Sequence, residues 1–205
     1  MRFLLLTLLC ACSFGSSTPS ASPAPGAAAP ASGAAAPAAA KPSAGDSGTW
    51  TLPDGKRLLA TQGALKAENF SLSTGFVGAP SWDATGKNVV FTEAQGGNHK
   101  IIVATQAASG WSTKTILDGP GKPTLPVLAP DGTTAVFVWE GPLGGQAGIW
   151  LAEIANSSAR PLTNSGFGDD PSNKLPVPTT PPTFDGKTVK WTSPAGQHEV
   201  GVGLE

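Results

Sequence analysis

Beyond its first twelve residues this 205-residue chain has no cysteine, for Cys10 and Cys12 are the only two. An intrachain disulfide, a thiolate metal site and thiol catalysis are therefore excluded downstream, and packing alone must hold the fold. Tyrosine is absent, histidine occurs twice, and charged residues make up 13% of the chain at a net charge of −1. That balance leaves no electrostatic footprint for nucleic acid, and no run of basic residues suggests a polybasic membrane contact. No apolar run approaches the roughly 20 residues of a permanent membrane helix. No stretch after residue 48 shows the spacing of an amphipathic helix, and no G-x-S-x-G elbow marks a serine hydrolase. What the chain has in quantity is Gly (26) and Pro (20), unevenly distributed.

The N-terminus reads as a targeting segment. Arg2 supplies a positive start, residues 3–9 are apolar, and Ala11 is the small residue at a cleavage point. The string Leu9-Cys10-Ala11-Cys12 resembles a bacterial lipobox, with Cys12 as the lipidated residue. It departs from that pattern in having Cys10 where Ala, Ser or Val is commoner; the alternative is an ordinary cleaved secretory signal. Ser13 after the cysteine is compatible with outer-membrane sorting. Residues 13–47 are Ala, Pro, Ser and Gly with almost no charge, a composition that offers little apolar surface to offset the entropy of ordering. Proline recurs often enough to block the helix that alanine would favour. The segment is expected to be a disordered tether averaging about 35 Å end to end. The expected organisation is a signal segment over 1–12, a linker over 13–47 and a folded domain over 48–205.

Within the folded part, residues 80–162 say nearly the same thing twice. Four turns recur, each followed by a β-rich strand: Leu52-Pro53-Asp54-Gly55-Lys56, Trp82-Asp83-Ala84-Thr85-Gly86-Lys87, Leu128-Ala129-Pro130-Asp131-Gly132-Thr133 and Thr183-Phe184-Asp185-Gly186-Lys187. Pro presets φ for an early turn position, Asp bonds its own backbone, and Gly accepts positive φ. A second loop follows ten to thirteen residues after each of the last three turn glycines, at Gly96-Gly97, Gly144-Gly145 and Gly196, and an apolar strand follows each loop. Repetition at this spacing denotes an array or propeller, and the breaker spacing denotes an all-β fold.

Pro80-Ser81-Trp82 through Gly86-Lys87 to Phe91, with Arg160-Pro161-Leu162-Thr163-Asn164, resembles the TolB-like β-propeller repeat, which typically reads P-x-W-S-P-D-G-K, strand, G-G, strand, R-L-T-N. The resemblance covers residues 70–205 and is specific to a repeat rather than to an activity. It departs in keeping the inner Trp only at Trp82 and in replacing Pro-Asp with Ala84-Thr85. It implies a small or partial propeller of about 3–4 four-stranded antiparallel blades. Residues 79–118 and 126–163 make two full blades, 178–205 a third without its outer strand, and 50–74 a shortened unit. The resemblance also offers Asn69-Phe70-Ser71-Leu72 as the strand closing the last blade. A small ring, an open arc and pairing with a second copy all fit the count, and unpaired strand edges weigh against the open arc.

Candidate chemistry is sparse. His99 and His198 hold equivalent places in different blades, so neither a metal pair nor a catalytic pair is expected, and no cofactor is implied. Trp139 and Trp191 are expected to pack between blades, whereas Trp111 and Trp150 are the candidates for exposure. Crossover loops are the expected ligand face, through Phe76, Lys122, Phe167, Asp169 and Asp170. The functional expectation is a lipid-anchored, non-enzymatic module of the bacterial cell envelope, at the outer membrane, binding a protein or envelope polymer and no nucleic acid. The alternatives are an envelope enzyme, or a degenerate relative of one, acting on glycans or peptides, and a structural domain contributing blades to a homo-oligomer, for which a homodimer is the partner offered.

Overall fold

The computed structural model describes residues 47–141, 147–163 and 177–203. The lipobox at Cys12, nearly all of the tether, and Phe167, Asp169 and Asp170 lie outside the described residues. Among those described there is no helix, and fifteen strands form four antiparallel sheets in which consecutive strands are neighbours. The first sheet comprises β1 (Gly48–Thr51), β2 (Arg57–Thr61), β3 (Ala64–Ala67) and β4 (Phe70–Ser73). The second comprises β5 (Phe76–Trp82), β6 (Asn88–Gln95), β7 (Asn98–Ala107) and β8 (Gly110–Gly119). The third comprises β9 (Lys122–Leu128), β10 (Thr134–Glu140), β11 (Gly148–Glu153) and β12 (Ser158–Pro161). The fourth is three-stranded, with β13 (Thr183–Asp185), β14 (Thr188–Ser193) and β15 (Gly196–Gly201). These are the blade-like units of a partial propeller.

The four turn glycines do what their place requires. Gly55, Gly86, Gly132 and Gly186 have φ of 84°, 70°, 73° and 58°, a region that side chains disfavour. In the first three turns the glycine N–H donates to the carbonyl of Leu52, Asp83 or Ala129, at 2.9, 3.1 and 2.9 Å. Consecutive turns also touch: Ala84 N–H donates to Pro130 O at 3.0 Å. Asp83, only 3% exposed, accepts from Thr85 Oγ1 and from the backbone and side-chain nitrogens of Asn88, which satisfies its burial.

Two expectations about the first unit are corrected. Residues 48–73 form a complete four-stranded sheet rather than a shortened unit, because Ala64–Ala67 supplies a strand whose Lys-interrupted pattern is short. Phe70–Ser73 pairs with β3 of its own sheet, so it does not close the last one.

Three apolar clusters hold the sheets together, each between sequential neighbours. Leu58, Ala60 and Leu65 of the first sheet meet Val89, Phe91 and Ile102 of the second. Val90, Ile101 and Val103 meet Ala135, Phe137 and Ala152 of the third. Val136, Ile149 and Leu151 meet Val189 and Trp191 of the fourth. Phe91 and Phe137, fully buried, contribute about 1.5–3 kcal/mol each by area removed from water. No cluster among the described residues joins the fourth sheet to the first.

The end sheets show why. Residues directly opposite on paired strands share a face, so Thr49, Leu59, Lys66 and Ser71 form one row across the first sheet's outer face. Arg57, Thr51 and Thr61 flank that row. On the fourth sheet the outer face carries Thr183, Lys190 and Glu199 in one row, with Asp185, Thr188, Thr192 and Gln197 around it. Apart from Leu59, which is 48% exposed, both outer faces are polar, as the end faces of a repeat array are. The objection to an open arc concerned strand edges, whereas this stack ends on solvated faces. The first sheet also packs in reverse: Leu58, three residues after its turn glycine, faces the following sheet, whereas Val89, Ala135 and Val189 in that place face the preceding one.

Candidate functional site

The first strands of the second and third sheets, β5 and β9, are both bulged. Val77 pairs with Thr92 and Ser81 with Val90, so Gly78, Ala79 and Pro80 all stand opposite Phe91. Thr124 pairs with Val138 and Val127 with Val136, so Leu125 and Pro126 stand opposite Phe137. Proline brings no N–H to the ladder, so a strand carrying one internally must bulge or lie at an edge. The chain turns through positive φ at both bulges, 83° at Gly78 and 51° at Leu125. For a leucine that conformation is strained, and such strain persists only where the surroundings impose it. Ser81 Oγ accepts from the buried Leu128 N–H at 3.2 Å and ties the two strands together.

Between the bulged strands lies a cavity of about 280 Å³. Its walls are mostly apolar, from Val77, Pro80, Pro123, Leu125, Pro126 and Pro181, and its polar lining includes Thr92, His99 and Lys122. Thr92 is 1% exposed, and neither its Oγ1 nor the buried Nδ1 of His99 has a hydrogen-bond partner among the described residues. Burying a hydroxyl or a ring nitrogen unpaired is unfavourable, and native structures contain few such groups. Both side chains share one sheet face, since Thr92 lies opposite Ile101 and Ala94 opposite His99. Lys122 is exposed, and the ion pairs among the described residues, those of Lys56, Lys100 and Lys190, do not include it.

Of the expected ligand face, the structure thus brings Lys122 to a cavity. Phe76 is corrected: its ring is fully buried, edge-on to Trp50 at 6.0 Å and to Phe91 at 6.3 Å. It starts β5, its N–H donates to Gly63 O, and its ring fills the first interface. Trp111, a candidate for exposure, is 8% exposed in the same cluster, and Trp150 packs against Trp139 at 6.0 Å. Thr92 and Leu125 carry no signal of their own in the sequence, and His99 was expected to be an ordinary hairpin-edge residue. The signal that could have found them is proline within two strands that otherwise read as interior.

A larger groove of about 570 Å³ follows the fourth sheet, lined by Thr183, Lys190, Thr192, Gln197 and Glu199 among others. His198 Nε2 lies 2.8 Å from Ser193 Oγ, a separation open to a base and a nucleophile. Ser193 is 5% exposed, and its Oγ also accepts from Ala195 N–H at 3.0 Å, so the hydroxyl is buried in the hairpin turn. Stacked on Trp191 at 5.4 Å, His198 completes that packing. Among the described residues no three His, Cys, Asp or Glu side chains gather as metal ligands would.

No protein-family model matches the chain, and no curated protein does. Solved structures do. A putative TolB from Agrobacterium tumefaciens is 18% identical over 69% of this chain and 51% of its own, with a TM-score of 0.48. TolB from Acinetobacter baumannii is 16% identical over 76% of this chain and 38% of its own, with a TM-score of 0.46. The chain thus spans about half or less of the length of these two structures, and what it is similar to is TolB proteins.

Proposed function

We propose that this chain is a binding module of the bacterial cell envelope, carried by a lipid on Cys12 and held away from the membrane by residues 13–47, which takes part of a protein partner into the cleft beside Lys122. The observation that carries the reading is the pair of unpartnered groups, Thr92 Oγ1 and His99 Nδ1, in a mostly apolar cavity bordered by two bulged strands. A fold has no packing use for such groups, whereas a ligand that completes their hydrogen bonds gives them one. The lipobox-like string at residues 9–12 and the uncharged Pro-rich stretch after it support the anchor and the tether.

The test is photo-crosslinking in cells, with a photoreactive residue at position 122 or, as control, at position 57 on the first sheet's outer face. A discrete adduct from 122 and none from 57 is expected. Equal labelling from both, or from neither, would remove the cleft as the binding site. Separately, Cys12→Ala should shift the protein from the membrane to the soluble fraction, and retention on membranes would mean that the anchor is misread.

A further inference from the structure

We infer that the Lys122 cleft is a receptor for an apolar carboxylate: a small hydrocarbon group seated against the prolines, with its carboxylate meeting Thr92, His99 and Lys122. This rests on the cleft reading above and gives it a ligand class. The cavity, about 280 Å³, sits at the small end of ligand sites, and its lining is predominantly apolar, which calls for a compact hydrocarbon body. The polar groups are all able to donate. The Thr92 hydroxyl has a proton to give, Lys122 carries three, and His99 donates from Nδ1 when the proton is on that nitrogen. Diagonal partners on one sheet face, such as Thr92 and His99, stand about 7–8 Å apart. One carboxylate between them can accept from both while facing the ammonium, giving charge-assisted bonds to groups that otherwise have none.

The same walls disfavour a phosphate. Phosphate sites are built from converging backbone N–H groups, and here Pro80, Pro123, Pro126 and Pro181 interrupt the N–H groups of the lining, while Lys122 is its one fixed positive charge against a phosphate's two. A neutral apolar guest would fill the volume yet leave Thr92 and His99 unpaired, which buried polar groups tolerate poorly. A carboxylate of this kind has two sources, the C-terminus of a peptide ending in an aliphatic residue, or a free branched-chain acid.

The experiment is titration calorimetry of the full-length protein with four probes. These are 4-methylpentanoate, 4-methylpentan-1-ol, a tetrapeptide ending in Leu with a free C-terminus, and the same peptide as its amide. Both acids are expected to bind at least ten-fold more tightly than their neutral counterparts. A peptide tighter than the free acid identifies a C-terminus as the source, and the reverse order identifies a free acid. Lys122→Gln should weaken the acids about ten-fold and leave the alcohol unchanged. Thr92→Val should weaken them several-fold, with Thr92→Ser restoring affinity. Neutral probes binding as well as acids, unchanged affinity in Thr92→Val, or no binding at millimolar concentration would each overturn the proposal. If crosslinks from position 122 persist when the acids fail, the cleft stands and only the ligand class falls; if both fail, neither survives.

Discussion

A hydroxyl buried without a partner loses its bonds to water and gains nothing in return, so Thr92 should be a local weak point of the unliganded protein. Thr92→Val keeps the shape and removes the unpaired group. It is expected to raise stability by about 1–2 kcal/mol, seen as a rise of a few degrees in the thermal midpoint; a fall would show the hydroxyl to be bonded. On the outer face of the fourth sheet, Lys190 donates to Asp185 at 2.6 Å, and this bond, then the ammonium charge, holds the Asp185 carboxyl below its ordinary 3.8. A depressed carboxyl supports the folded state above that ordinary value, and the support is lost as pH falls through the folded value. Lys190→Met should therefore bring the Asp185 titration, followed by NMR, back towards 3.8. Both residues are too exposed for the pair to matter much to global stability.

At the scale of elements, the crossover glycines set how closely the sheets approach. A Cβ on Gly121 would land on the Trp139 ring, and one on Gly75 would land on the Ala94 carbonyl. Gly121→Ala is therefore expected to destabilise the protein by about 1–3 kcal/mol, the range for overpacking, with a matching fall in the denaturation midpoint. Turns and strands were legible because their chemistry is local: Pro, Asp and Gly at fixed offsets marked the start of β2, and the same turns followed by runs with β-branched residues gave β6, β10 and β14 where they lie. The first unit's third strand was not, since Ala64-Leu65-Lys66-Ala67 carries no β-branched residue. Of the site, Lys122 was legible and its partners were not. Thr92 and His99 look ordinary in their strands, and their lack of hydrogen-bond partners among the described residues is a property of the packed sheets, which local sequence does not carry. Phe76 was expected on a loop rim and is instead the first residue of the next strand, with its ring buried.

For the whole molecule, the ends of the stack were written in the sequence. Val89-Val90-Phe91 and Ala135-Val136-Phe137 are continuous apolar runs, which belong to sheets covered on both faces. Thr188-Val189-Lys190-Trp191-Thr192 keeps polar residues on one face, as a sheet covered on one side does, and Arg57-Leu58-Leu59-Ala60-Thr61 does so except at Leu59, which is 48% exposed. Polar ends should keep the chain monomeric in solution. Making the fourth sheet's outer face apolar with Lys190→Val and Thr192→Val is expected to cause self-association in size-exclusion chromatography; an unchanged elution volume would mean that this face does not terminate the array. The connectivity carries one more consequence. Every sheet is drawn from consecutive chain, and no described strand is lent from one end to close a sheet at the other. Cooperativity must then travel through the interfaces between sheets, their apolar clusters and the few hydrogen bonds that cross them, such as Ala84 N–H to Pro130 O and Leu128 N–H to Ser81 Oγ, and loss of an end sheet unpairs no strand elsewhere. Amide protons of β6, β7, β10 and β11 should exchange slowest, while those of the first and fourth sheets should exchange through separate, lower-energy openings. Such a protein can release and re-dock a terminal sheet while the strands that wall the Lys122 cleft remain paired.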